Sequence, residues 1–121
     1  MLELSNTSLG EHYIIDMWIK EEFPYKAGCI EAIDKAIKAA GATKLNEYYH
    51  EFPNGGFTGV VALAESHISV HTWPEKGFVA FDIFTCGDSD CNAAFKALVD
   101  YFHPYAVEFE VFNRGVRTKC L

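Results

Sequence analysis

Two apolar segments with a polar, reactive stretch between them dominate the region from residue 58 to residue 85. Residues 58–64 and 78–85 are rich in apolar and β-branched side chains, a pattern typical of buried β-strands. Residues 65–75 contain more potentially reactive side chains than any other stretch of the chain, and Cys86 directly follows the second segment. A hydroxyl, two imidazoles, a carboxylate and a thiol are therefore predicted to lie at neighbouring strand ends.

Hydrophobic periodicity predicts helices and strands on both sides of this region. Alternating apolar and polar residues indicate further strands at residues 12–19, 43–52 and 106–112. Apolar residues at three- and four-residue spacing indicate a helix over residues 25–40 and a second helix with Asp90 as its N-cap. The order β-α-β-β-β-α-β implies a two-layer α+β sandwich, a mostly antiparallel sheet with two helices on one face.

Such a sandwich leaves the second face of its sheet uncovered. The length of 121 residues predicts a single domain over residues 1–121, and 15% of the residues are aromatic. An uncovered face would expose several of these aromatic side chains to water. Pairing with the same face of a second copy would bury them, which predicts a homodimer with an αββα arrangement. A solitary ferredoxin-like binding module is the alternative.

Composition argues against several kinds of partner. The formal charge is −7 and basic residues do not cluster, so nucleic-acid binding is not expected. No stretch approaches the roughly 18 to 20 apolar residues of a membrane span. Residues 1–7 lack the features of a secretory signal, so a cytoplasmic location is expected. The excess of acidic over basic residues would suit a cationic substrate.

Each reactive residue also has an ordinary structural interpretation. A serine or histidine in a strand is most often structural, and a cysteine of the cytoplasm is usually a small buried apolar residue. His67 and His71 are four residues apart, which would place them on one face of a helix, but this segment is predicted as a strand. No metal site is therefore predicted. The residue types alone leave a non-catalytic binding domain open as an alternative to an enzyme.

The chain resembles prokaryotic S-adenosylmethionine decarboxylases in three places. These are the run AESHISVHTWPE at residues 64–75, the run FTCGD at residues 84–88, and the segment Leu9-Gly10-x-His12. The resemblance extends over nearly the whole chain. It implies the same α+β fold and αββα dimer, and a self-processing, pyruvoyl-dependent decarboxylase that serves spermidine and other polyamine synthesis.

Self-processing requires chemistry at the bond between Glu65 and Ser66. The Ser66 hydroxyl must attack the Glu65 carbonyl, and a base must then remove the Ser66 α-proton so that the resulting ester is eliminated. His71 is the candidate base, because an imidazole titrates near neutral pH. Thr58 stands where the resemblance leads us to expect a processing serine, and its extra methyl group stiffens χ1. The alternative is that Thr58 only favours the strand.

The resemblance also implies how the substrate is bound and decarboxylated. A pyruvoyl group derived from Ser66 would hold the substrate amine as a Schiff base, with no need for pyridoxal phosphate. Cys86 would donate the proton that replaces carbon dioxide. Phe52 would lie against the adenine ring and Glu75 would bind the ribose hydroxyls. A basic amino acid such as arginine or ornithine is the alternative substrate, because the same chemistry needs only an α-amino acid.

An extended strand would keep Ser66 and His71 of one chain apart. Five residues at about 3.3 Å each separate them by roughly 17 Å and place them on opposite faces. A two-fold axis could instead bring Ser66 and Cys86 of one protomer to Thr58, His71 and the substrate-binding residues of the other. The larger eukaryotic relatives resemble a fused duplication that divides the serine and the histidine between its halves. A homodimer with two shared active sites is therefore expected.

The first testable prediction is that the expressed chain cleaves itself into residues 1–65 and 66–121, fragments of 65 and 56 residues with a blocked start on the second. Ser66→Ala should abolish cleavage, because it removes the oxygen nucleophile. Intact-mass measurement over a long incubation checks both. A single full-length species in the unsubstituted protein would contradict the prediction.

Overall fold

The computed structural model describes residues 8–20 and 22–116, which form six strands and two α-helices. The strands are β1 (Gly10–Trp18), β2 (Lys44–Glu51), β3 (Phe57–Leu63), β4 (Ser66–Trp73), β5 (Phe78–Cys86) and β6 (Ala106–Arg114). The helices are α1 (Lys26–Ala40) and α2 (Cys91–Phe102), and a 3₁₀ turn at Pro74–Lys76 connects β4 to β5. No α-helix in this part of the chain is long and apolar enough to cross a membrane.

The six strands form one sheet in the order β2-β3-β4-β5-β1-β6, and every neighbouring pair is antiparallel. The two helices pack against each other and against one face of this sheet, so the predicted two-layer α+β fold is confirmed. The predicted order counted three strands between the helices, and this number was wrong. The structure has four: the predicted strands on either side of the Glu65–Ser66 bond are both present, as β3 and β4, and the order counted only one of them.

Local sequence signals set the helix ends. Gly41 ends α1 in the left-handed conformation, with a φ of +70°, and its N–H bonds back to the last turn. The Asp90 carboxylate accepts a hydrogen bond of 3.0 Å from the N–H of Ala93 and so caps α2 at its start. Helix α2 ends at Phe102, two residues before Pro104. The predicted end of the first helix at residue 40 and the predicted cap at Asp90 are both confirmed.

The hydrophobic core lies between the helices and the sheet. Burial alternates along β3, β4 and β5, as expected for strands with one covered face. The largest fully buried side chains come from strands and from both helices: Phe57, Phe81, Ile15, Met17, Ile33, Ile68, Ile83 and Leu98. The core therefore fixes which residues of each strand point away from the helices.

We call the second side of the central strands the open face. Its side chains from β1, β4 and β5 are His12, Ile14, Asp16, Trp18, His67, Ser69, His71, Trp73, Phe78, Ala80, Asp82, Phe84 and Cys86. At one end, the ring of Phe78 lies 5.2 Å from that of Trp18 and 5.1 Å from that of Trp73. Trp73 is 40% exposed and Ile14 is 40% exposed. The structure thus has the uncovered, partly aromatic sheet face that the sequence predicts.

Candidate active site

The Glu65–Ser66 bond lies in the tight turn between β3 and β4. Leu63 pairs with Ser66, so only Ala64 and Glu65 connect the two strands. Glu65 has a φ of +63°, in the left-handed region that residues other than glycine rarely adopt. Such a conformation persists only where surrounding contacts hold it in place. The bond that the sequence singles out is therefore in a strained and tightly held turn.

Cys86 is the residue that holds this turn from the neighbouring strand. Its thiol donates a hydrogen bond to the Glu65 carbonyl oxygen, and its N–H donates to Ser66 Oγ at 3.3 Å. Ser66 Oγ and Cys86 Sγ are 4.0 Å apart. A hydrogen bond to a carbonyl oxygen stabilises the negative charge that develops there when a nucleophile attacks the carbon. We call Glu65, Ser66 and Cys86 the serine half-site.

His71 and Thr58 lie directly opposite each other on β4 and β3. Thr58 Oγ1 is 3.1 Å from His71 Nδ1, so the hydroxyl fixes the orientation of the imidazole ring. The extra methyl group of Thr58, compared with serine, does not prevent this contact. The structure thus gives Thr58 a partner beyond its role as a strand-forming residue.

A pocket of about 580 Å³ adjoins this pair. Four of its lining residues are the predicted Phe52, Thr58, His71 and Glu75, which we call the histidine half-site. Phe52 comes from the turn after β2, and Glu75 from the 3₁₀ turn after β4. The antiparallel register of β2, β3 and β4 brings these distant segments to one end of the sheet.

The structure does not bring the two half-sites of one chain together. Strand β4 runs without interruption from Ser66 to Trp73, and Ile68, Val70 and Thr72 all point into the core. His71 lies on the open face, five residues from Ser66, at a distance of roughly 17 Å for an extended strand. The predicted residues thus form two separate groups.

Asn54 and Trp73 are among the pocket residues that were not assigned a role from the sequence. The Asn54 side-chain amide donates a hydrogen bond of 3.0 Å to Glu75 Oε2. The sequence indicates Asn54 only as part of a Pro-Asn-Gly-Gly turn, because no spacing pattern links it to Glu75. Trp73 directly precedes the 3₁₀ turn and could have been noticed from its place in the reactive stretch.

The buried cysteines differ from Cys86 in their surroundings. Cys29 and Cys91 are fully buried in the helices, and burial raises the pKa of Cys29 to about 12 and that of Cys91 to about 11. These thiols therefore stay protonated and shielded from water at neutral pH. Among the cysteines in the described part of the chain, Cys86 alone is partly exposed.

A solved structure defines the class of protein. The chain is similar to the crystal structure of the adenosylmethionine decarboxylase from Aquifex aeolicus VF5, with a TM-score of 0.81 and 32% identity. The match covers 95% of this chain and 98% of that chain. The chain therefore has the same α+β sandwich fold as this decarboxylase, and the likeness extends over almost the full length of both chains.

Sequence comparisons identify the family. The model of the S-adenosylmethionine decarboxylase family matches residues 11–115. The chain is 41% identical to the S-adenosylmethionine decarboxylase proenzyme of Archaeoglobus fulgidus, over 88% of this chain and 98% of that protein. It is 46% identical to the proenzyme of the same name from Methanococcus vannielii, over 89% and 91%. The chain belongs to the S-adenosylmethionine decarboxylase family.

The contacts of Cys86 lead to a second prediction. Cys86→Ala should lower decarboxylation of S-adenosylmethionine by about 10²- to 10⁴-fold, the usual contribution of a positioned acid. Cleavage should be slowed but still occur, because the Ser66 hydroxyl remains. Carbon dioxide release, measured per cleaved chain, checks the first effect, and intact mass checks the second. Cys29→Ala is the matched control and should keep its turnover. Unchanged turnover in fully cleaved Cys86→Ala would show that Cys86 only packs and is not the proton donor.

Proposed function

We propose that the chain is a self-processing, pyruvoyl-dependent decarboxylase that converts S-adenosylmethionine to its decarboxylated form, the aminopropyl donor for spermidine synthesis. The observation that carries the proposal is the geometry at the Glu65–Ser66 bond, where a strained turn meets the thiol of Cys86. Two relatives that are 41% and 46% identical to the chain are named proenzymes, which supports maturation by cleavage. A cytoplasmic location stays a prediction from the sequence.

Cleavage begins when Ser66 Oγ attacks the carbonyl carbon of Glu65. The Cys86 thiol stabilises the charge on the carbonyl oxygen, the C–N bond breaks, and the nitrogen takes up the proton to become a free amine. The ester that results links Glu65 to Ser66 Oγ. A base then removes the Ser66 α-proton, and the C–O bond breaks to release the Glu65 carboxylate. The dehydroalanine left at position 66 takes up water and loses ammonia.

The surroundings of Ser66 fit the pyruvoyl group that this sequence of steps leaves. The N–H of Cys86 donates to Ser66 Oγ at 3.3 Å. This oxygen leaves with the Glu65 carboxylate, so the N–H is then free to donate to the carbonyl oxygen of the group formed at position 66. When a substrate amine is bound to it, the pyruvoyl group supplies an electron sink that lets carbon dioxide leave. Cys86 Sγ lies 4.0 Å from Ser66 Oγ, and this thiol would return a proton to the substrate α-carbon.

The pocket of the histidine half-site suits a nucleoside better than a basic amino acid. Phe52 is 46% exposed at its edge and offers an aromatic face to a purine ring. The Glu75 carboxylate can accept hydrogen bonds from two neighbouring hydroxyls of a ribose. Arginine or ornithine could pair with Glu75, and arginine could stack on Phe52, but neither carries the two neighbouring hydroxyls that a carboxylate accepts from a ribose. The net charge of −7 also favours a substrate with a positive sulfonium centre.

We further propose that two chains pair through their open faces and share their active sites. Three polar side chains in the middle of this face already contact one another: Asp82 lies 3.2 Å from His12 Nε2 and accepts from Ser69 Oγ at 3.1 Å. Paired polar groups can be buried at much lower cost than unpaired ones. Burial of exposed Trp73 and Ile14 would stabilise the contact. Cys86 is on the open-face side by the alternation of β5, and it contacts the Glu65–Ser66 turn. The serine half-site of each chain would then meet the histidine half-site of its partner through this strand end.

The third prediction tests this shared site by co-expression of two inactive variants. A heterodimer of Ser66→Ala and His71→Ala chains contains one site in which both half-sites are intact. Cleavage of the His71→Ala chain, and decarboxylation at that one site, should therefore be recovered in purified heterodimers. Intact mass of differently tagged chains and carbon dioxide release measure the two effects.

A matched pair provides the control for this experiment. Ser66→Ala and Cys86→Ala both alter the serine half-site, so their heterodimer contains no intact site under a shared arrangement. It should show no gain in turnover over Cys86→Ala alone. If the Ser66→Ala and His71→Ala heterodimer also fails to cleave, despite confirmed pairing of the chains, the shared site is wrong.

A further inference from the structure

Asn54 uses both ends of its side chain to connect two turns of the pocket. Its Oδ1 accepts a hydrogen bond of 2.9 Å from the N–H of Gly56, within the turn between β2 and β3. Its Nδ2 donates a hydrogen bond of 3.0 Å to Glu75 Oε2, on the 3₁₀ turn. Because the oxygen is committed to Gly56, the amide must present its donor end to Glu75.

The backbones of these two turns are also held together, independently of Asn54. The N–H of Phe57 donates to Thr72 Oγ1 at 3.0 Å. A Cβ atom on Gly56 would lie 2.9 Å from the Thr72 carbonyl oxygen and 3.1 Å from Pro74 Cδ, so only glycine permits this close approach. The turns keep their relative position through these contacts, and Asn54 adds the orientation of one side chain.

We propose that Asn54 is a positioning residue that holds the Glu75 carboxylate in the orientation that binds the ribose hydroxyls of the substrate. This inference rests on the proposed nucleoside-binding role of Glu75. Glu75 is exposed, and a free glutamate would lose side-chain entropy when a ligand ordered it. One hydrogen bond from Asn54 restricts it beforehand, and a carboxylate with about four acceptor positions still has room for two hydroxyls. Asn54 thereby favours ligands with a ribose over ligands without one.

The fourth prediction uses Asn54→Asp, which separates the two contacts of Asn54. The aspartate keeps an oxygen for the Gly56 N–H but replaces the donor to Glu75 by a second acceptor with negative charge. Adenosine should bind about five- to ten-fold more weakly, as expected for the loss of the net contribution of one typical hydrogen bond. Binding of 2′,3′-dideoxyadenosine, which lacks both hydroxyls, should not change. Calorimetry on uncleaved Ser66→Ala protein measures both affinities without any need for catalysis.

Two matched variants show whether Asn54 acts through Glu75. In a Glu75→Gln background, Asn54→Asp should cause no further loss of adenosine affinity. The Glu75 carboxylate that Asn54 positions is absent from this background. Asn92→Asp makes the same charge change on α2, where Asn92 Oδ1 accepts from the Tyr13 hydroxyl at 3.3 Å, and should leave adenosine binding unchanged. In the self-cleaved protein, Asn54→Asp should raise the KM for S-adenosylmethionine by the same factor, with kcat and the extent of cleavage nearly unchanged.

Other outcomes would overturn the inference. Equal weakening of adenosine and dideoxyadenosine, or a joint fall in kcat, cleavage and thermal midpoint, would make Asn54 a residue of the turn only. Unchanged adenosine affinity in Asn54→Asp, or no adenosine binding by the unsubstituted pocket, would exclude positioning of a ribose-binding carboxylate. The proposed function is tested separately. It would be wrong if the unsubstituted protein neither cleaved itself nor released carbon dioxide from S-adenosylmethionine.

Discussion

The straight course of β4 is the constraint on which the arrangement of the site depends. Strands β3 and β5 pair with β4 on both sides, and Ile68 and Val70 are almost fully buried in the core. A bend that brought Ser66 towards His71 would break ladder hydrogen bonds and uncover these side chains. The fold therefore separates the serine from the histidine at opposite ends of one strand, and a second chain is the simplest way to bring them together.

The open face is suited to such a second chain in its chemistry as well as its shape. Aromatic side chains cluster at the end near the histidine half-site, where Trp18, Phe78 and Trp73 lie in contact. Farther along, Asp82 is hydrogen-bonded to both His12 and Ser69 across three strands. These three side chains can be buried without losing the hydrogen bonds that they make to one another. The same face can thus be both an interface and the wall of two active sites.

The sequence predicts those features that depend on local patterns. Gly41 and Asp90 mark helix ends, and alternation of buried residues marks the strands, because caps and strand periodicity are short-range effects. Three features depend on long-range contacts or register and were not predicted. Glu65 adopts a positive φ that no glycine signals. Phe52 leaves strand β2 because its N–H closes the turn onto the Gly56 carbonyl. Asn54 meets Glu75 only because β3 and β4 bring their turns to the same end of the sheet.

The most direct test of the shared site is a crystal structure of the self-cleaved protein with S-adenosylmethionine fixed covalently at position 66 by chemical reduction. The account predicts that the ligand joins two chains: its amine is attached at position 66 beside Cys86 of one protomer, and its adenine ring lies on Phe52 and its ribose on Glu75 of the other. A ligand enclosed by position 66, Phe52 and His71 of one and the same chain would contradict the account.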